Sequence, residues 1–313
     1  MMGVMINGEW HADAEDGSRP ASGEFRRPET QFRRWISVEP GAEFPAATGR
    51  YHLYLALACP WCHRTLLFRL LKRLEGVISV SFVEPLMLER GWTFAEPDPL
   101  TGAAAIHEIY RRADPRYSGR ASVPVLWDKE KRTIVSNESA DIIRMLNRAF
   151  AALTDDRNDY YPRALAAEID AINERIFETV NNGVYKAGFA TRQEPHKAAV
   201  TALFATLDWL EERLRTRRYL LGDTITEADW RLFPTLVRFD AVYYGHFKCN
   251  LRHLYEYAAL WDYTRRLYAV PGVAATVDLH DYKTHYYGSQ RRINPSGVVP
   301  LGPMIDFSLP TQR

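Results

Sequence analysis

The sequence predicts two domains of different class, an α/β domain first and an all-helical domain after it. Strand-like and 3.6-residue apolar patterns alternate between residues 51 and 150. The run Tyr160-Tyr161-Pro162 then interrupts them, and only helical periodicity continues beyond it. The length, 313 residues, suits two domains that each bury a full core.

Residues 1–50 contain Gly, Pro and Arg and are weakly patterned. They are read as an extended arm packing onto a body or a partner subunit, with Phe25, Phe32 and Trp35 as its apolar anchors. The α/β domain occupies 51–150. Its first elements are a buried strand at 51–58, a helix at 65–74 and a second strand at 77–85. A loop at 87–100 holds Trp92, and a short helix is predicted at 106–112. Residues 122–128 form a strand beginning at a proline, paired across a charged turn with 133–136. A helix at 139–150 closes the domain, with Ile142, Ile143, Leu146 and Phe150 on one face. The order βαβα and then ββα describes a thioredoxin-like domain.

The all-helical domain spans 160–275. Helical patterns run from 163 to 181 and from 196 to 215. A further helix opens at Thr226-Glu227-Ala228-Asp229, whose T-x-x-D spacing is a reciprocal N-terminal cap before the apolar run 230–242. A last helix is predicted at 260–267. The tail, 276–313, is read as irregular and packed on the helical domain.

The most informative stretch is Leu53-Tyr54-Leu55-Ala56-Leu57-Ala58-Cys59-Pro60-Trp61-Cys62-His63-Arg64, where a strand hands over to a helix at a cysteine. Helix N-termini present unpaired N–H groups and a partial positive charge, which stabilise a thiolate. Pro60 suits the first helical position. A buried inert thiol is the plainer alternative. A zinc half-site lacks a second C-x-x-C, since the only other cysteine is Cys249. His63 would lower the thiol pKa if charged and turned towards it, or else it simply packs.

A formal net charge of +1 gives no electrostatic case for nucleic acid. No apolar run approaches a membrane span, and no signal peptide is visible, so a cytoplasmic protein is expected. Three cysteines make no secreted disulfide framework. His246 and His285 lack metal-like spacing, and no metal is expected.

Val123-Pro124 resembles the proline that thioredoxin-like domains place opposite the nucleophile, and that resemblance implies a cis peptide that would turn the Val123 backbone towards a bound peptide. Asn137-Glu138-Ser139 opens a helix, where N–H groups and the Ser139 hydroxyl suit a carboxylate and Glu138 suits an ammonium. Alternatively Ser139 only caps its helix and Pro124 only starts a strand.

A thioredoxin-like domain followed by a capped helical domain resembles the glutathione transferase superfamily. Cys-Pro-Trp-x-His-Arg, Arg-Phe-Asp-Ala-Val-Tyr-Tyr-Gly-His-Phe-Lys-Cys-Asn (238–250), and His-Tyr-Tyr followed by Ile-Asn-Pro and Val-Pro-x-Gly-Pro (285–303) resemble the glutathionyl-hydroquinone reductases, or Xi-class transferases. The resemblance runs from about Trp35 to Pro303.

It implies reduction of a small-molecule glutathionyl-hydroquinone by glutathione as co-substrate, releasing hydroquinone and glutathione disulfide. Cys59 is the implied nucleophile, forming a mixed disulfide with glutathione. Trp92 would pack on glutathione, Val123 bind its cysteinyl backbone, Glu138 and Ser139 hold the γ-glutamyl group, and Arg120 anchor a carboxylate. Tyr185, Tyr243 and Tyr286 would line the hydroquinone pocket, their phenols stabilising the enolate left when the aryl C–S bond breaks. The alternative for any of these tyrosines is a core aromatic. A homodimer is also implied.

Two departures stand out. Cys62 replaces the family's usual alanine, which either opens a glutaredoxin-like thiol-transferase or deglutathionylase route using Cys59 with Cys62 or leaves Cys62 buried behind the helix and idle. Gln290 stands where histidine is more usual.

Overall fold

The computed structural model describes residues 3–14, 17–18 and 20–308. The chain forms two compact units, one from Met1–Gly17 and Pro28–Asp159, the other from Ser18–Arg27 and Tyr160–Arg313.

The first unit opens with a hairpin, β1 (Val4–Ile6) and β2 (Glu9–His11), paired Val4 to His11 and Ile6 to Glu9. Its turn is Asn7-Gly8, with φ of 48° and 84°. Asn-Gly is a strong short-range hairpin signal, because both turn residues need positive φ. This corrects the reading of that stretch as extended arm.

The main sheet contains β3 (Tyr51–Leu55), β4 (Ser79–Phe82), β5 (Val125–Asp128) and β6 (Thr133–Ser136) in the order β4-β3-β5-β6. β3 runs parallel to β4 and antiparallel to β5, and β5 is antiparallel to β6. All five residues of β3 are buried, His52 among them, which is why its sequence does not alternate between apolar and polar. β3 stops at Leu55, three residues before the expected end, and a turn leads into α1 (Pro60–Leu71). That helix begins earlier than the apolar spacing indicated, because its first turn is set by the Cys59 cap and Pro60 rather than by leucines. The strand expected at 122–128 starts only at Val125, after a cis Val123–Pro124 peptide.

α2 (Ile106–Ala113) and α3 (Ser139–Arg148) complete the unit. The Asp128 carboxylate shapes the β5–β6 turn by accepting from the backbone of Glu130 and Lys131, while Arg50 pairs with it at 2.6 Å. Phe32 meets the rings of Tyr110 and Tyr117. Trp35, read as a second anchor nearby, is instead 47% exposed.

The second unit contains α4 (Ala166–Ile176), α5 (Gly183–Phe189), α6 (Gln193–Leu214), α7 (Glu227–Leu236), α8 (Ala258–Tyr268) and α9 (Leu279–Ser289). The Thr226–Asp229 capping box forms as its spacing predicts. The Asp229 carboxylate accepts from Thr226 N at 2.7 Å, and from Leu220 N and the Tyr263 hydroxyl at 2.9 Å each. α7 ends at Leu236, not at 242. Pro234 lies within it, and a π-turn follows at Phe239–Tyr243.

α9 overturns the expectation of an irregular tail. Asp278 caps it by accepting from Asp281 N at 2.9 Å. Its buried face is Tyr282, His285, Tyr286 and Ser289, so the helical repeat is written in rings and hydroxyls instead of aliphatics. Farther on, Phe307 packs against Trp261 and Tyr268.

Candidate active site

Cys59 is the N-cap of α1, with φ −80° and ψ 122°. The Cys62 N–H donates to its sulfur at 3.4 Å, and the Cys59 thiol faces the Val123 carbonyl at 3.6 Å. The sulfur therefore has a helix-terminal donor on one side and the cis-peptide segment on the other. It is 8% exposed, narrower access than an open thiol would have. A donor aimed at the sulfur and the positive helix end both favour the thiolate.

The second cysteine is set differently. Cys62 is 1% exposed, and its sulfur accepts from Ala56 N at 3.4 Å, at the end of β3. His63 and Arg64 are also buried, with the Arg64 guanidinium stacked 4.6 Å from the Trp61 ring centre. Cys249 lies in the core, where burial pushes its thiol far up. All three cysteines are unbridged.

Glu138, not Ser139, is the cap of α3. Its Oε1 accepts from Ala140 N at 3.0 Å and its Oε2 from the Thr30 hydroxyl at 3.2 Å. Ser139 is the first helical residue and is buried. The preceding Asn137 is locked between Phe32 N and the Tyr110 hydroxyl, so the turn entering the helix is rigid. Trp92 is buried in the loop after β4, and its carbonyl accepts from Ile106 N at 2.9 Å. The Arg120 carbonyl accepts from the Tyr117 hydroxyl at 2.9 Å.

In the second unit, three residues far apart in sequence meet. Tyr185 comes from α5, Tyr243 from the π-turn after α7, and Tyr286 from α9. The Tyr286 hydroxyl is 2.5 Å from that of Tyr185 and 3.2 Å from that of Tyr243. Phe247 packs against all three rings. Burial holds the Tyr243 and Tyr286 phenols well above their ordinary value, and the neighbouring Tyr185 adds to this. Arg238 opposes the rise in both. This arginine, which the sequence reading passed over, is fully buried, donates to Pro234 O at 2.8 Å and lies over the Tyr282 ring at 3.6 Å. Its signal in the sequence is its place at the head of the 238–250 motif. Gln290 Oε1 accepts from His246 Nε2 at 3.0 Å, so the unusual residue ties the end of α9 to the segment after Tyr243.

Among the described residues, no group of three or more His, Cys, Asp or Glu side chains is placed to hold a metal. No described helix is long and apolar enough to cross a membrane.

Two family profiles match the chain: "Glutathione S-transferase, N-terminal domain" over residues 58–149 and "Glutathione S-transferase, C-terminal domain" over 166–266. The Escherichia coli glutathionyl-hydroquinone reductase YqjG is 50% identical, with 100% of this chain and 98% of the relative covered. The Sphingobium chlorophenolicum glutathionyl-hydroquinone reductase PcpF is 50% identical, with 96% of each covered. Among solved structures, glutathione-bound YqjG superposes with TM-score 0.90 at 48% identity, covering 98% of both chains. A Xi-class glutathione transferase from Natrialba magadii superposes with TM-score 0.93 at 44% identity, covering 99% of this chain and 95% of the other.

Proposed function

The chain belongs to the glutathione transferase family as a Xi-class glutathionyl-hydroquinone reductase, and on that premise we propose how its residues divide the reaction. Glutathione is the co-substrate. In the keto form of the conjugate, the Cys59 thiolate attacks the conjugate's sulfur. The S–aryl bond breaks, its electron pair forms the ring enolate at a carbon that already carries hydrogen from the keto shift, and the enolate oxygen takes a proton to give the hydroquinone. Cys59 is left as a mixed disulfide with glutathione. A second glutathione thiolate attacks the glutathione sulfur, releasing glutathione disulfide and regenerating the Cys59 thiolate.

The observation that carries this assignment is the Cys59 cap, with the Cys62 N–H on the sulfur and the Val123 carbonyl opposite. Val123 would take the cysteinyl backbone of glutathione. Glu138 and Ser139 would hold its γ-glutamyl end at the start of α3, Trp92 would cover it and Arg120 would anchor a carboxylate. The phenols of Tyr185, Tyr243 and Tyr286 would donate to the ring oxygens as negative charge develops there. A homodimer in the cytoplasm belongs to the same reading.

The test supplies a glutathionylated hydroquinone and glutathione. Release of free hydroquinone with stoichiometric glutathione disulfide, abolished in Cys59→Ala, is the expected result. Full activity in that variant would overturn the role of Cys59.

A further inference from the structure

The arm residue Arg27 has no part in the roles above, yet it is built into the phenol cluster. Its guanidinium carbon stands 4.8 Å from the centre of the Tyr185 ring. Its Nε donates to Asn182 Oδ1 at 2.8 Å. Asn182 is the residue before α5, so the helix that carries Tyr185 also holds the cation.

The backbone leading to Arg27 is fixed as well. The Gly23 carbonyl accepts from Thr191 N at 3.0 Å. Gly23 has φ of 83°, and a side chain there would come within 2.6 Å of the Arg192 Cγ. Phe25 is buried against Phe189, with ring centres 5.1 Å apart, and its ring also faces the Arg27 guanidinium at 5.4 Å. Segment Ser18–Arg27 belongs to the helical unit, so this contact is internal to it.

We propose that Arg27 is a positioning residue for the aryl step, holding a positive charge against Tyr185 at one end of the hydroxyl chain Tyr185–Tyr286–Tyr243. A cation over an aromatic face is attracted by the ring quadrupole. That attraction grows as the phenol takes on phenolate character while donating to the enolate. The contact is therefore stronger in the charged transition state than in the resting cluster, which is the condition for accelerating a step rather than only tightening binding. Burial opposes negative charge on Tyr243 and Tyr286, and Arg238 relieves part of this. No bond beyond those of the reductase reaction is made or broken. The inference rests on the phenols serving the substrate's ring oxygens.

The experiment compares two glutathione-dependent activities of the full chain. One is reduction of a glutathionylated hydroquinone. The other is reduction of bis(2-hydroxyethyl) disulfide, which uses the Cys59 thiolate but develops no aryl anion. Arg27→Gln is expected to lower kcat for the aryl substrate roughly tenfold, the size of a partly desolvated cation–ring contact, and to leave disulfide reduction within about twofold. Arg27→Lys, which keeps the charge, is expected to recover most of the aryl rate. Equal loss of both activities in Arg27→Gln, an undiminished aryl rate, or a lysine variant no better than glutamine would overturn the proposal. If Arg27→Gln fails to fold, loss of the aryl rate alone in Arg27→Lys overturns it, and near-normal aryl turnover supports it. Should Tyr286→Phe also leave the aryl rate untouched, the reading of the phenols fails. If Tyr286→Phe is impaired and Arg27→Gln is not, the Arg27 proposal alone fails.

Discussion

The hydroxyls of Tyr185 and Tyr286 lie 2.5 Å apart although 101 positions separate the residues in sequence. Tyr286 also reaches Tyr243 at 3.2 Å, so it is the shared member of the cluster. Tyr286→Phe should therefore cost more than Tyr243→Phe. About 10²-fold in kcat is expected for the first, the scale of losing one preorganised donor to a developing oxyanion. Steady-state kinetics on a glutathionylated hydroquinone would measure it. Equal, small effects of both variants would mean the cluster is only packing.

The two cysteines of the C-x-x-C segment have opposite surroundings. Cys62 offers its N–H to the Cys59 sulfur and spends its own sulfur as an acceptor for Ala56 N. Cys62→Ala keeps the first contact and loses the second. Aryl turnover is expected to remain within a few-fold, with a stability loss of about 1–2 kcal/mol from the unmatched buried N–H. In both proteins the rate of Cys59 alkylation against pH should report a thiol pKa below about 8.5. Collapse of activity in Cys62→Ala would instead restore the dithiol route.

The thiol half of the site was legible because backbone chemistry is local: a cysteine, a proline and a following leucine pattern define a helix start within twelve residues. The Thr226–Asp229 box was legible for the same reason, whereas the cis Val123–Pro124 peptide was expected only from the resemblance to thioredoxin-like domains. The Asn7-Gly8 turn was equally local, and was missed because weak patterning around it was taken for irregular chain. α9 was missed because Tyr282, His285 and Tyr286 are amphipathic and do not register as an apolar stripe. The hydroxyl contacts of the phenols lay beyond local pattern altogether. The family resemblance named the three tyrosines, but only folding shows that Tyr286 is the one both others meet.

Substitution of Glu138 separates its capping role from the ammonium contact proposed for it. Its Oε1 caps α3 and its Oε2 holds Thr30, while its charge is available to an ammonium. Glu138→Gln keeps an acceptor for the cap but removes the charge. Its Tm should stay close to that of the parent while KM for glutathione rises about tenfold, the range of one charge-assisted hydrogen bond. Glu138→Ala should show the same KM defect and lose about 1 kcal/mol of stability with the cap. Calorimetric titration with glutathione and thermal melts separate the two. An unaltered glutathione affinity in Glu138→Gln would remove this residue from the ligand site.

Each unit also buries a histidine that resists protonation. Burial lowers His52 and His246 from 6.5 to about 4. The folded pKa thus lies below the unfolded one, and between the two values the unfolded chain binds protons that the folded chain does not. Stability from these groups is complete above pH 6.5 and falls as pH drops towards about 4. At 1.36 kcal/mol per pH unit, the loss for each is at most about 3 kcal/mol. His246→Gln removes the titrating ring while leaving an amide to meet Gln290, so it should flatten the acid side of the stability profile even if it costs some packing at neutral pH. Urea unfolding at pH 7.5, 6 and 5 would read the slope. A parent protein equally stable across that range, or a variant with an unchanged slope, would show that proton uptake at His246 does not govern acid unfolding.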